Sequence, residues 1–311
     1  MNKRARIAVT GASGFLAAYL IQELKNKGFE NLVLFTRDKS RVSIKGFDIV
    51  EVEMTNPVEL AEALRGVEVV FHTAAVVSFS DKDADKIIEE NVDITSHLVD
   101  AALKVGVKKI IHTSSIAALG GMREGKIYID EQSLLTDFKN TSAYGQSKFL
   151  CENLILKAGE LGVETVIVNP GVIVGRGDSL LVRLKKGMRF YTQGVTGYVT
   201  VEDVSRAQVA LMQEPKAVGE RFVLVGENIS FKDLIFLGSK RPWFKVGRRA
   251  MKVLVFFSSM WAKISSKDSL LTKSGARAAQ TKSYYNGEKV RKYIDFKYTS
   301  VTTAIKKALD K

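Results

Sequence analysis

The sequence predicts an α/β fold: a doubly wound parallel sheet carrying a small C-terminal substrate-binding subdomain. Three observations lead to it. Short apolar runs alternate with helical patterns through the first half of the chain, a glycine-rich turn closes the first run, and the alternation weakens after Pro170. Strands that alternate with helices pair in parallel and are covered on both faces. Right-handed crossovers then wind the sheet in both directions from its first strand.

Residues 5–10 read as a buried strand, and a helical pattern over 15–27 follows its glycines. Residues 32–35 and 47–52 read as the second and third strands. The pattern over 57–65 fits a helix with Pro57 in its first turn, where the missing N–H leaves no bond unmade. A fourth strand over 67–71 precedes a long helix over 84–105, whose apolar residues recur at helical spacing. A fifth strand (109–113), a helix (144–161) and a sixth strand (164–168) complete the alternation. The short elements at 180–188, 204–213, 221–225 and 231–237 are expected over the C-terminal edge of the sheet, shaping a pocket. No internal repeat or low-complexity linker separates the parts, so residues 1–175 and 176–311 are expected to pack together.

The 311 residues, 46% of them hydrophobic, suffice for a sizeable core. The one cysteine, Cys151, rules out an intrachain disulfide, reads as a buried structural thiol and suits a reducing, cytoplasmic setting. The basic N-terminus lacks the apolar stretch and cleavage site of a secretion signal, and no apolar run of about 18 residues predicts a spanning helix. Charge is unevenly placed. Residues 231–311 hold 19 Lys/Arg against 5 Asp/Glu, so the net +13 resides entirely in the last quarter. Such asymmetry points to an anionic partner or surface, or to a solubilised tail.

The turn Thr10-Gly11-Ala12-Ser13-Gly14-Phe15-Leu16-Ala17 links the first strand to the first helix. Gly11 permits the tight turn, and Gly14 lets the backbone approach a pyrophosphate. The helix start, with Ser13, Phe15 and Leu16 around it, presents N–H donors and a positive dipole end. This placement reads as a dinucleotide cradle, making residues 1–175 a Rossmann core and 176–311 a mixed substrate-binding and basic region. At the end of strand two, Thr36 occupies the position of the acid that binds the ribose of NAD, and Arg37 follows. That favours NADP, with NAD as the alternative. The plainer role for Arg37 is an exposed pair with Asp38, worth less than about 1 kcal/mol.

Tyr144 and Lys148 lie one helical turn apart and project from one helix face. A neighbouring ammonium favours phenolate, so Lys148 is expected to lower the pKa of Tyr144 toward useful acid–base range. Strand five ends in His112-Thr113-Ser114-Ser115, at the sheet edge where ligands bind, and a serine hydroxyl there can hold a substrate oxygen.

With these residues in place, the chain resembles an extended short-chain dehydrogenase/reductase over about residues 5–230. Further motifs are Val70-Phe-His-Thr-Ala-Ala75, Asn91-Val92, Asn169-Pro-Gly-Val-Ile-Val-Gly175 and Tyr198-Val-Thr-Val-Glu-Asp203. The resemblance implies Tyr144 as acid/base and Lys148 as pKa modulator and ribose ligand. It implies Ser115, with Ser114 as the alternative, as the carbonyl-polarising hydroxyl. Pro170 and Val172 would flank the nicotinamide, and Ala74 would pass beneath the cofactor. His72 is expected to pack at its strand–loop corner, Asn91 to stabilise a helix, and Asp203 to cap one. A homodimer through helices 84–105 and 144–161 is implied as well. No metal site is read.

The style of the loops is closest to dihydroflavonol reductases and 3β-hydroxysteroid dehydrogenases. The expected activity is therefore NAD(P)-dependent interconversion of a carbonyl and a secondary alcohol on a small, mostly apolar substrate. A nucleotide-sugar epimerase or dehydratase with tightly bound NAD is the first alternative. It is disfavoured because strand two lacks the acid and Thr113-Ser114-Ser115 lacks a carboxylate. A non-catalytic NADP sensor is the second. Residues 246–263, apolar with flanking cations, read either as a lid over an apolar pocket or as a peripheral membrane contact. No nucleic-acid motif accompanies the basic region.

Overall fold

The computed structural model describes residues 2–77, 83–188, 190–238, 241–265 and 273–309, without the side chains of 256–257, 259–265 and 273–274. Strand β1 (Ile7–Thr10) is buried along its whole length, and the sheet grows from both of its sides. Helix α1 (Phe15–Asn26), β2 (Leu32–Thr36) and β3 (Asp48–Glu51) extend it one way. Helix α2 (Pro57–Ala63), β4 (Val69–His72), α3 (Ala84–Val105), β5 (Lys109–Thr113), α4 (Ala143–Glu160) and β6 (Glu164–Pro170) extend it the other way. Then come β7 (Val172–Val174), α5 (Ser179–Lys186), β8 (Phe190–Tyr191), β9 (Val195–Thr200), α6 (Val201–Gln213) and β10 (Arg221–Leu224). The chain closes with β11 (Glu227–Ser230), α7 (Phe231–Phe236), β12 (Phe244–Lys245), α8 (Arg248–Ser265), α9 (Lys273–Ala278) and α10 (Val301–Leu309).

The central sheet runs β3-β2-β1-β4-β5-β6-β10, all parallel. Strand order reverses between β1 and β4, which opens a crevice beyond their C-terminal ends. Alternation along the strands divides the core. Ile7 and Val9 join Leu20, Leu24 and Phe222 on one face, while Ala8, Val33 and Val70 meet Leu98, Ala102 and Ile155 on the other. Each fully buried Leu, Ile or Val stabilises the fold by about 1.5–3 kcal/mol relative to exposure. Gly106, at a left-handed φ of 79°, stops α3 and turns the chain into β5.

One expectation is corrected. Residues 221–224 do not lie over the sheet edge but form its seventh strand, paired with β6. Phe222, Val223 and Leu224 are consecutively buried, the pattern of a strand covered on both faces. Helix α6 covers the same face as α1, so the chain beyond residue 175 completes the core. The rest does build over the C-terminal edge. There β7 and β11 flank β9 in a three-stranded sheet, and β8 pairs with β12. Gly171 lets β7 turn aside, because a Cβ there would stand 2.5 Å from the Gly197 carbonyl oxygen.

Helix α8 packs Met251 and Val255 against Val246, Ala276 and Phe190. The side chains of Trp261 and Lys263, part of the expected lid or membrane segment, lie outside those described. Among the described residues no helix is long and apolar enough to cross a membrane.

Two histidines are fully buried beneath the crevice, His72 on β4 and His112 beside it on β5, with ring centroids 5.2 Å apart. The Thr10 hydroxyl oxygen accepts the N–H groups of Thr73 and Ala74 at 3.2 and 3.1 Å. Its proton therefore goes to Nδ1 of His72 at 3.0 Å, and Nε2–H faces Thr95 Oγ1 at 3.1 Å. No partner among the described residues reaches either ring nitrogen of His112. Burial, and secondarily the Lys148 charge, depress the His72 pKa to about 3 and that of His112 well below the usual range. Both rings fold neutral and take up protons only on unfolding. Their contribution is complete above the ordinary histidine pKa of about 6.5 and is lost as pH falls toward the folded values. Each should cost about 1.4 kcal/mol per pH unit in that window. Urea midpoints between pH 7.5 and 5 should fall steeply, and less steeply in His112→Phe; a flat profile would contradict neutral burial.

Candidate active site

Gly11 has a φ of 68°, and a Cβ there would lie 2.9 Å from the Ala74 Cα, so β1 and β4 close on each other only because residue 11 has no side chain. The N-cap of α1 is Gly14, which makes no side-chain capping bond, whereas Ser142 caps α4 and Thr200 caps α6. The first N–H groups of α1 thus face the crevice without a side chain to satisfy them. A cavity of about 220 Å³ lies there, lined by Gly11, Ser13, Gly14, Arg37, Arg41 and Ala74 among others. This donor set fits a dinucleotide, with backbone N–H for pyrophosphate and guanidinium groups at the β2 end. Phe15 and Leu16 do not line this cavity. The Phe15 ring meets Tyr19 edge-on and would be 3.1 Å from a Cβ on Gly175, while Leu16 packs on the core.

At the β2 end the expected pair of Arg37 with Asp38 does not form. The Asp38 carboxylate accepts the N–H and hydroxyl of Ser40 at 2.9 and 2.6 Å, capping the single turn 39–41. Arg37 reaches Glu90 at 3.5 Å instead. The turn carries Arg41 to the cavity, a second cation that sequence reasoning missed. The Asp38-Lys39-Ser40 cap was the available signal.

Helix α4 starts at the Ser142 hydroxyl, which accepts the Gly145 N–H at 3.1 Å and sets Tyr144 in the first turn. Gly145 lies against the turn 116–118, where a Cβ would be 2.5 Å from the Ala117 carbonyl oxygen. This close approach brings Tyr144 to Ser115, whose hydroxyl bonds the phenol. Ser115 Oγ also accepts the Ala117 N–H at 3.1 Å. Ser114 is buried beside Glu152, so the two serines face different neighbours.

The expected effect of Lys148 on Tyr144 is overturned. Burial pushes the Tyr144 phenol up to about 12, and the bond that opposes the rise comes from Ser115. Lys148 is buried, its pKa is lowered by that burial, and its Nζ donates to the Thr113 carbonyl at 2.9 Å. Desolvation penalises the phenolate, and the ammonium is engaged at the strand end.

Behind this pair stand two networks. In the first, Asn91 accepts the Val76 N–H at 2.7 Å and donates to the Val76 carbonyl and Ser147 Oγ, each at 3.0 Å. It ties the loop after β4 to α4 as well as serving α3. The buried Cys151 donates to the Asn91 carbonyl. In the second, Glu152 Oε1 accepts Asn169 Nδ2 at 2.5 Å, and Oε2 meets Arg221 at 2.6 Å. Sequence reasoning missed this network, although Glu152 stands one turn beyond Lys148 on the same helix. Pro170 ends β6 buried, and Val172 opens β7 exposed, so both stand at the C-terminal edge beyond Ser115. Asp203 is not the cap of α6. Thr200 caps it, and Asp203 pairs with Arg206 and accepts the Thr299 N–H at 2.7 Å, fastening the C-terminal segment. Among the described residues no three metal-ligating side chains converge.

Comparison with known families places residues 7–226 in the NAD dependent epimerase/dehydratase family. The chain belongs to that family. A sterol demethylase protein B of Methylococcus capsulatus is 28% identical over 260 residues, which is 78% of this chain and 78% of that protein. A putative dihydroflavonol 4-reductase of Synechocystis is 29% identical over 239 residues, 73% of this chain and 69% of that protein. The crystal structure of gox2253 superposes with a TM-score of 0.82 at 27% identity, covering 99% of this chain and 97% of that one. This family member's seven-stranded parallel sheet matches the fold of that structure.

Proposed function

We propose that the protein is an NADP-preferring oxidoreductase that interconverts a carbonyl and a secondary alcohol on a small, mostly apolar substrate. The observation that carries this reading is the buried Tyr144–Ser115 hydroxyl pair at the end of β5, with Lys148 one turn away. Ser115 would donate a hydrogen bond to the substrate oxygen, and Tyr144 would deliver the proton in reduction. Lys148 would anchor the start of α4 to β5 and supply positive charge to the nicotinamide ribose side. When bound, the dinucleotide supplies hydride exchange with the substrate carbon. Gly11, Ser13, Gly14 and Ala74 would hold its pyrophosphate portion, and Arg37 and Arg41 a 2′-phosphate. Arg277 donates to the Asn140 carbonyl at 3.0 Å just before α4, and the neighbouring Ala276 packs with Phe190, Val246, Met251 and Val255. The sterol demethylase and dihydroflavonol reductase relatives support redox over sugar chemistry. So does the disposition of the fully buried carboxylates, since Glu152 and Asp203 are both engaged by arginines.

The same C-terminal region offers an anionic bilayer a docking face. On α8, Arg248, Lys252 and Arg249 occupy one exposed side, and Ala250, Val253 and Leu254 the adjoining one. Trp243 and Phe244, 78% and 53% exposed, precede the helix. Cations beside apolar side chains suit the lipid interface, at about 1 kcal/mol per cation near an anionic surface. Substrates of low solubility would be drawn from that phase.

Four outcomes test these readings. NADPH should raise the melting temperature more than NADH, and Arg37→Ser/Arg41→Ser should erase the difference; a larger shift with NADH would reverse the cofactor assignment. Tyr144→Phe should abolish turnover while retaining cofactor binding. Because the phenol stays protonated to about 12, reduction should be level between roughly pH 6 and 9 while alcohol oxidation climbs toward tenfold per unit. A reductive rate lost through a pKa near 7 would remove Tyr144 as the donor. The protein should sediment with phosphatidylserine-containing vesicles and not with pure phosphatidylcholine, less so as Phe244→Ser/Val253→Ser; equal behaviour with both would exclude an electrostatic membrane contact.

A further inference from the structure

The Ser115 main chain is clamped from both sides. On its N-terminal side the Ser114 N–H donates to the Val168 carbonyl of β6 at 2.8 Å. On the other, Asn169 Nδ2 donates to the Ser115 carbonyl at 2.9 Å. One carboxamide nitrogen therefore spends its two protons on Ser115 O and Glu152 Oε1, and Asn169 is fully buried. The orientation of that carboxamide is set by Glu152, because no partner among the described residues holds its oxygen. Glu152 is itself inaccessible and forms an ion pair with Arg221 on the seventh strand. With its backbone fixed and its Oγ tied to the Ala117 N–H, Ser115 has little freedom left except to face Tyr144.

We propose that Glu152 is a positioning residue for the reacting pair. Its carboxylate, braced by Arg221, orients the Asn169 carboxamide, and Asn169 fixes Ser115 against Tyr144. Arg221, in the half of the chain that holds the substrate region, thereby acts on the hydroxyl pair without touching it. Position 152 presents one carboxylate oxygen to Asn169 and the other to the Arg221 guanidinium. Glutamine offers one such oxygen and turns an amide N–H toward either Asn169 or Arg221, so even this conservative change breaks the relay. The alternative is that the buried ion pair only stabilises α4 against β10, as buried pairs do elsewhere in proteins.

The inference rests on the proposed reaction only in taking Ser115 and Tyr144 as its acting pair, and its test requires no substrate. Protein labelled with ζ-carbon-13 tyrosine gives one ring signal per tyrosine, and Tyr144→Phe identifies the one that matters. Ser115→Ala sets the displacement produced by losing the serine bond. Asn169→Ala, which leaves the Glu152–Arg221 pair intact, and Glu152→Gln should each displace the Tyr144 signal in the same direction by at least half as much. Asp203→Asn, which disturbs the other buried carboxylate, should lower the melting temperature and leave that signal in place. A Tyr144 signal unmoved in folded Asn169→Ala overturns the proposal, whether or not Glu152→Gln folds. Retained turnover in Tyr144→Phe would instead overturn the reaction and leave the positioning result standing.

Discussion

The close approach of two backbones at Gly145 is the constraint on which the site depends. The first turn of α4 reaches the Ala117 carbonyl at a separation that no other residue permits, and this puts the Tyr144 phenol beside Ser115. A second approach of the same kind, Gly11 against Ala74, closes β1 on β4. Both act by leaving a side chain out. Each brings together chain segments that are distant in sequence, and between them they set where a cofactor and a substrate can meet.

Burial then decides the chemistry. The phenol, the ammonium and both histidines at this end of the sheet are shielded from water, so each is pushed toward its neutral form. Tyr144 therefore holds its proton at neutral pH. Burial raises the Glu152 pKa as well, and Arg221 and Asn169 oppose that rise. These polar groups form two separate networks. Asn91 and Cys151 fix α3, α4 and the loop after β4, and Glu152 and Asn169 fix α4, β6 and Ser115.

Much of this was legible in the chain. Elements through β6 follow from apolar periodicity, because a strand buried on both faces and a helix buried on one leave distinct patterns. The glycine loop and the Tyr144–Lys148 pair were legible because each is a fixed spacing within a single stretch of chain, and the serine was legible only as Ser115 or Ser114. The seventh strand was not, since a short apolar run after Pro170 carries no mark of which sheet it will join. Arg41 was hidden because its approach to the cavity depends on a cap made by Asp38. The expected lowering of the Tyr144 pKa failed for a related reason: spacing puts Lys148 on the right face of the helix, but burial of the phenol dominates, and the Lys148 Nζ donates to the Thr113 carbonyl.

By itself the sequence determined the doubly wound sheet, the glycine turn and the Tyr144–Lys148 pair, because each is encoded by local pattern. Tertiary structure alone decided which of two serines meets the tyrosine, which strand closes the sheet and how protons are held at neutral pH. Those outcomes depend on burial and on contacts between residues tens of positions apart: Ser115 with Tyr144, Asn169 with Ser115, and Arg221 with Glu152. Local pattern carries no information about such distances until the strands have been ordered.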